Sequence, residues 1–208
     1  MLADLLQPTL WRQRQPIKPS THSLATMKIT AIETILLRTP YECGGPKPNF
    51  GGRVWDRAET LLVKVQTDAG VTGWGEAFGY NVAPTTKTAI DTVLAPLYVG
   101  CDARNMDGLM REMQMRLNYQ GRNGSVIYGM SGIDIALWDI AGKVAKQPLH
   151  RLFGGAGRSQ VTAYSSLMRY TDPAIVAKNT AASVERGFKY VKLHEIDEPQ
   201  VRAAREAG

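Results

Sequence analysis

The sequence predicts an α+β domain, built from a three-stranded antiparallel meander plus helices, followed by the first units of a parallel α/β domain. Two observations predict this order. In the first part of the chain, segments rich in β-branched residues and tight turns are followed by segments with apolar residues at helical spacing. In the C-terminal part, the predicted elements alternate strand, helix, strand and helix. This change of pattern divides the chain into two predicted domains, residues 27–158 and residues 159–208.

The meander opens with a strand rich in Ile and Thr, predicted over residues 27–38. A long loop rich in glycine and proline follows at 39–54, and loops of this length inside a domain are usually functional or disordered. Two further strands, at 59–67 and 71–78, are separated by the tight turn 68–70. Such a turn predicts an antiparallel hairpin.

Three helices are predicted to cover the meander, because three strands need material packed on one face. Apolar residues recur at helical spacing over residues 86–98, 106–117 and 131–146. We expect Ser131 to be the N-cap of the third helix and Pro148 to end it.

The C-terminal part carries predicted strands at 161–167 and 190–194, each followed by a predicted helix, at 173–186 and 199–207. We expect Gly187 to lie at the C-terminus of the first of these helices. This alternation predicts parallel strands with helical connections. Because a closed barrel of this kind needs about eight such units, the two seen here are expected to be the start of a longer domain.

Composition narrows the class of protein. The net charge of +6 comes from cations scattered among acids, without a nucleic-acid recognition motif, so no nucleic-acid partner is expected. There is no apolar run of membrane-spanning length, so no membrane partner is expected either. Cys43 and Cys101 match no zinc spacing, which favours free thiols and a cytoplasmic location.

Residues 1–26 are interpreted as a disordered extension or a mis-called start before Met27, with a transit peptide as an alternative.

A family resemblance rests on five segments. Residues 129–143 (GMSGIDIALWDIAGK), followed by 148–149 and 152–155, resemble the helix that links cap and barrel in the mandelate racemase/muconate lactonizing enzyme family of the enolase superfamily. Residues 27–30 and 73–77 are similar to the same family. The resemblance implies a cap domain followed by an incomplete TIM-type α/β barrel.

The glycine pair Gly73 and Gly75 allows two interpretations. Two glycines after a strand can cradle a phosphate, but the third glycine and the following helix start of a phosphate loop are missing. Close backbone packing around Trp74 is therefore the expectation.

The candidate catalytic residues lie on the second parallel strand. Side chains alternate along a strand, so Lys192 and His194 share one face while Val191 and Leu193 share the other. From the sequence alone, the alternative is that this Lys-x-His pair lies on the protein surface by chance and has no function. The resemblance places Lys192 and His194 in the barrel interior near the strand's C-terminal end, where barrel enzymes hold catalytic groups.

The resemblance also implies roles for this pair. The family commonly has Lys-x-Lys here, and the second lysine removes the proton α to a carboxylate. This chain has His194 in that position, and enolase-superfamily sites use either a lysine or a histidine base. Lys192 would then orient the substrate carboxylate. Because His194 replaces the second lysine, the stereochemistry of the reaction stays open. The role of this position could also have changed to dehydration or been lost.

The resemblance further implies that cap loops at 39–54 and 79–85 close over the barrel mouth and select the substrate. A mobile surface loop without a binding role is the alternative. The substrate-binding candidates in the first loop are Tyr41, Lys47, Asn49 and Arg53.

The implied cofactor is Mg²⁺, held in the family by acidic residues of the third, fourth and fifth barrel strands. Glu195 and Asp197 do not match those positions, so this chain is expected to contribute no metal ligand and to be inactive alone. The implied function of the full-length protein is a Mg²⁺-dependent dehydratase or racemase/epimerase acting on an acid sugar or hydroxy acid, a small-molecule carboxylate. The alternatives are a muconate-type lactonizing isomerase and a non-catalytic fragment or pseudo-enzyme. A homo-oligomer is expected for the full-length protein.

Overall fold

A computed structural model describes residues 26–155 and 157–208. The interpretation of residues 1–26 therefore concerns a segment that, except for Thr26, lies outside the described residues. The strands are β1 (Ile29–Pro40), β2 (Asn49–Phe50), β3 (Arg53–Val54), β4 (Arg57–Thr67), β5 (Thr72–Ala77), β6 (Ser165–Ser166) and β7 (Val191–Lys192). The α-helices are α1 (Ala83–Ala89), α2 (Ala95–Tyr98), α3 (Met106–Arg116), α4 (Ser125–Ala145), α5 (Leu149–Leu152), α6 (Pro173–Glu185) and α7 (Glu198–Ala207).

The predicted meander is confirmed. Its strands lie in the order β1-β4-β5, and both pairings are antiparallel. The turn between β4 and β5 is closed by the backbone hydrogen bond from Thr67 N to Val71 O at 3.1 Å, and Gly70 adopts a φ of 75°. Glycine reaches this left-handed conformation without the steric cost that a Cβ imposes.

The core of this domain lies between the meander and the helices. On β4, Leu61, Val63 and Val65 alternate inward, as a half-buried strand requires. They meet apolar side chains from the helix layer, and burying this surface is the main favourable term in folding. The buried helical residues of this cluster are Ile90, Leu94, Tyr98, Leu109, Met113, Met130, Ile133, Ala136, Leu137 and Ile140.

The N-cap prediction for the long helix is wrong. Helix α4 begins at Ser125, so Ser131 lies inside it on an exposed position. Val126 and Ile127 pack against the core and continue the apolar stripe toward the N-terminus. Tertiary contact therefore lengthens the helix by more than a turn beyond the cap that the local sequence favours. The C-terminal boundary is close to the prediction, since Lys146 in a left-handed conformation ends the helix just before Pro148.

Two further segments differ from the sequence prediction. The long loop contains a short hairpin, β2 paired with β3, around Gly51 and Gly52. The helix predicted from residue 86 begins at Ala83, with Pro84 in its first turn where a missing N–H costs nothing, and is interrupted by a π-helical turn at Ile90–Leu94.

The predicted parallel unit is also confirmed, although its strands are shorter than predicted. Strands β6 and β7 pair in parallel, with α6 as the connection, and Gly187 ends α6 at a φ of 87°. Beyond the paired residues the predicted first strand is open to solvent, since Val161 is 84% exposed. A separate apolar cluster joins the strands to the helices, built from Leu167, Tyr170, Val176 and Ala204. No helix in the described part of the chain is both long enough and apolar enough to cross a membrane.

One ion pair within α4 also ties this helix to the sheet. Asp139 Oδ2 accepts hydrogen bonds from Trp74 N at 2.8 Å and from Lys143 Nζ at 2.7 Å, and Lys143 Nζ also donates to Thr72 O at 2.8 Å. Both donors thus bridge the helix and the edge strand β5.

Replacing this carboxylate should weaken the fold slightly. Because the group is partly exposed, water replaces part of the lost bonding, and we expect Asp139→Ala to lower the free energy of unfolding by about 1 kcal/mol. Urea denaturation followed by circular dichroism measures this. Asp139→Asn keeps an oxygen acceptor for Trp74 N and should lose less, so equal losses in both variants would contradict the assignment.

Candidate functional site

The candidate catalytic pair lies at the end of β7. Val191 and Leu193 are partly buried against the second apolar cluster, whereas Lys192 and His194 are exposed on the other side of the strand. Strand β7 ends at Lys192, so His194 sits just beyond it. Among the described residues, the Lys192 ammonium has no hydrogen bond or ion pair. Both functional groups are thus available at the strand end.

The His194 ring is held by the neighbouring parallel strand. Its Nδ1 lies 2.5 Å from Leu167 O, just beyond β6. A carbonyl oxygen can only accept, so Nδ1 carries the proton and donates it. In the neutral ring the lone pair is then on Nε2. This arrangement gives the imidazole the tautomer that a general base acting through Nε2 requires.

The carboxylate of the next residue, Glu195, forms hydrogen bonds with the backbone of the segment after β6. Its Oε1 accepts hydrogen bonds from Tyr170 N at 2.5 Å and from Thr171 N at 3.2 Å. Thr171 adopts a φ of 64°, an unusual conformation for a residue with a branched side chain. The carboxylate therefore stabilises the sharp bend after β6. Asp197 faces Arg169, with an N–O distance of 3.9 Å.

The described residues do not fit a magnesium ion. Magnesium takes oxygen ligands in near-octahedral geometry, usually from carboxylates and water. Within residues 26–155 and 157–208 no group of three His, Cys, Asp or Glu side chains is placed to hold a metal. Glu195, the carboxylate next to His194, already accepts two backbone N–H groups.

The two cap loops contact each other through aromatic side chains. Tyr41 stacks on Trp55 with ring centroids 4.5 Å apart, and Trp55 meets Tyr80 edge-on at 5.3 Å. Burial raises the pKa of the Tyr41 hydroxyl above its ordinary value, and nearby Cys43 and Tyr80 add to the rise. Tyr41 therefore remains a neutral hydrogen-bond donor.

The charged candidates of the first loop face acidic neighbours. Lys47 Nζ lies 3.8 Å from Glu42, and Arg53 Nη2 lies 3.6 Å from Glu59. The Glu59 side chain is only 7% exposed and also accepts from Arg38 Nε at 3.0 Å. Because Glu59 interacts with two guanidinium groups, it neutralises the positive charge of Arg53 only in part. Asn49 lies in β2, on the same hairpin as Arg53.

Sequence reasoning missed the side chains that connect the loop to the strand ends. Tyr170 Oη donates to Cys43 O at 2.5 Å, and this contact holds the first cap loop against the segment that follows β6. Trp55 and Tyr80, which join the two loops, were also missed. Aromatic residues at the loop ends were the available signal for those two, whereas nothing in the local sequence marks Tyr170.

Comparisons with known proteins agree with this architecture. A model of the mandelate racemase/muconate lactonizing enzyme N-terminal domain matches residues 52–154. The chain is 33% identical over 157 residues to an arabinonate dehydratase of Saccharolobus solfataricus, covering 71% of this chain and 42% of that enzyme. It is 32% identical over 194 residues to a D-galactarolactone cycloisomerase of Agrobacterium fabrum, covering 87% of this chain and 49% of that enzyme.

A solved structure supports the fold directly. An enolase-superfamily member from Polaromonas sp. JS666 superposes with a TM-score of 0.75 at 30% identity, covering 86% of this chain and 49% of that one. The chain thus spans between 42% and 49% of the length of these three relatives.

Proposed function

Because the chain belongs to the mandelate racemase/muconate lactonizing enzyme family of the enolase superfamily, we propose that it supplies the cap domain and first βα units of an acid-sugar dehydratase or isomerase. The domains are proposed at 27–158 and 159–208. Two of the relatives that it resembles are enzymes named for a sugar acid, arabinonate, and for a sugar-acid lactone, D-galactarolactone. The proposed substrate is therefore a small polyhydroxy carboxylate.

The observation that carries the proposal is the hydrogen bond from His194 Nδ1 to Leu167 O. It fixes the tautomer in which Nε2 holds a lone pair. Imidazole is also the side chain that most often serves as a general base in enzymes. We propose that Nε2 removes the proton α to the substrate carboxylate.

Lys192 has a complementary proposed role. Its ammonium is exposed on the same side of β7 as His194 and has no partner among the described side chains. A cation beside the reacting carbon attracts the substrate carboxylate and offsets the negative charge that develops as the proton leaves. For a dehydration, the β-hydroxyl group then departs as water, taking up one proton in place of the one removed from the α-carbon, and the enol that remains tautomerises to a 2-keto-3-deoxy acid.

Enolase-superfamily enzymes use Mg²⁺ for this class of reaction. The described residues do not form such a site, so we propose that the longer protein holds the ion with residues outside this chain. Isothermal titration tests this part of the proposal. The 208-residue chain should show no stoichiometric Mg²⁺ binding, because Glu195 is engaged and no acidic cluster is present among the described residues. A one-to-one complex with a micromolar constant that is lost in Glu195→Gln would contradict the prediction.

The function itself is tested on a longer protein that contains this chain and a complete barrel. The protein is incubated with Mg²⁺ and a panel of aldonates and aldarates in D₂O, and proton NMR follows the α-proton. We expect its signal to disappear through exchange or to be replaced by the signals of a keto acid. No exchange and no product with any acid sugar would favour the non-catalytic alternative.

A cycloisomerase is the second candidate, since one relative has that activity and is 32% identical. Both reactions begin with removal of the α-proton, and they differ in the leaving group. A dehydratase releases water from the β-carbon, whereas a cycloisomerase breaks the ring oxygen bond of a lactone. Offering the free acid and its lactone separately distinguishes the two candidates by which of them is consumed.

A further inference from the structure

Two side chains of the first βα unit hold neighbouring backbone carbonyls of the cap loop. Tyr170 Oη donates to Cys43 O at 2.5 Å, and Asn179 Nδ2 donates to Gly44 O at 3.0 Å. The partners are 127 and 135 residues apart in sequence, so each bond joins the cap domain to the parallel unit. Tyr170 is only 7% exposed, which shields its bond from competition with water.

The loop is shaped to receive these side chains. A Cβ added at Gly44 would lie 2.0 Å from Asn179 Oδ1, and one added at Gly45 would lie 2.8 Å from the Tyr170 ring. Gly44 also has a φ of 80°, which any other residue adopts at a cost. Glycine at both positions thus permits the close approach.

The tyrosine also contacts the segment that carries the candidate base. Its backbone N–H donates to Glu195, the residue after His194, and His194 itself is bonded to Leu167 O three residues before Tyr170. Burial raises the pKa of the Tyr170 hydroxyl, which keeps it protonated and able to donate. One residue therefore touches both the cap loop and the segment around His194.

We propose that Tyr170 and Asn179 are positioning residues, which latch the stem of the cap loop at residues 43–45 onto the first βα unit and thereby set the distance between the loop and His194. The importance of this distance for substrate selection rests on the proposed function. The bonds to Cys43 O and Gly44 O are present whatever the substrate is.

The two hydrogen bonds do not extend to the tip of the same loop, residues 51–53. An added Cβ at Gly51 or Gly52 would meet no heavy atom of the described residues within 4 Å. The tip carries Arg53, whereas the latched carbonyls belong to the stem. The stem is thus held by the parallel unit, whereas Arg53 at the tip faces Glu59 of β4 at 3.6 Å.

Hydrogen exchange on the 208-residue chain tests the latch without any assay of activity. The reporters are the amides of Tyr41 and Trp55, which donate to Asp56 O at 3.0 Å and Pro48 O at 2.8 Å. In Tyr170→Phe we expect these amides to exchange about five-fold faster, the effect of losing one ordinary hydrogen bond. Exchange in β4 and α4 should not change.

Two further variants complete the comparison. Asn179→Asp has the same shape but cannot donate to Gly44 O, and it should accelerate the same amides. Tyr164→Phe is the matched control, since the Tyr164 hydroxyl is exposed and makes no hydrogen bond among the described residues. Unchanged exchange in both Tyr170→Phe and Asn179→Asp would overturn the proposal, as would acceleration spread equally over β4 and α4.

The consequence for catalysis is measured in the longer protein. Tyr170→Phe should raise KM for an acid sugar about five-fold while kcat stays within about two-fold, because the lost contact positions the loop and does not touch the reacting atoms. A fall in kcat with KM unchanged would contradict a positioning role. If the wild-type protein converted no acid sugar, the proposed function would be wrong, and the exchange comparison would still decide whether the latch exists.

Discussion

His194→Asn is expected to lower kcat by about 10²- to 10⁴-fold in a longer protein that contains this chain and a complete barrel, the usual cost of losing a general base. Asparagine retains a side-chain N–H that can donate to Leu167 O, so the local hydrogen bond can persist. It has no nitrogen lone pair to accept the α-proton. The fold and the affinity for Mg²⁺ should therefore change little.

Exchange of the α-proton in D₂O separates the base from other causes of low activity. His194→Asn should abolish exchange on the face of the substrate that this residue serves. Lys192→Met is the comparison variant, because it removes the cation but keeps the base. It should raise KM and lower kcat together, since substrate binding and stabilisation of the developing charge both weaken.

Each substrate enantiomer has to be measured separately. A second catalytic group on the opposite face could maintain turnover of one enantiomer when His194 is absent. Near-normal turnover and exchange of both enantiomers in His194→Asn would show that the base lies elsewhere in the protein.

Gly75→Ala is expected to cost about 3 kcal/mol of folding free energy, at the upper end for overpacking. A Cβ on Gly75 would lie 2.1 Å from Gly132 O and 2.8 Å from Ala136 N, both in the backbone of α4. Backbone atoms cannot rotate away as a flexible side chain does, so the helix and strand β5 must separate. This contact confirms the close-packing interpretation of the glycine pair, because a Cβ on Gly73 would also lie 2.1 Å from Ala136 O.

Urea denaturation of Gly75→Ala and Gly157→Ala measures the effect. Gly157 is the matched control, since an added Cβ there meets no heavy atom of the described part of the chain within 4 Å and its φ is not in the left-handed range. The control should stay within about 0.5 kcal/mol of the wild type, as surface substitutions usually do. A similar midpoint for both variants would contradict the assigned packing of α4 on β5.

The sequence by itself determined the features that depend on neighbouring residues. Alternation along β4 placed Leu61, Val63 and Val65 in the core, and the turn at Gly70 specified an antiparallel hairpin. The same alternation placed Lys192 and His194 on one side of β7. Side-chain direction in a strand follows from backbone geometry, so a local pattern is sufficient.

Only the tertiary structure decided where elements begin and which groups meet. Helix α4 starts at Ser125 because Val126 and Ile127 are covered by the core, an environment that the local cap signal at Ser131 does not report. The tautomer of His194 depends on Leu167 O, 27 residues earlier, and the latch joins Tyr170 to Cys43 O across 127 residues. Hydrogen bonds between distant segments form only after packing has brought the two backbones together, so no periodicity or spacing in the sequence encodes them.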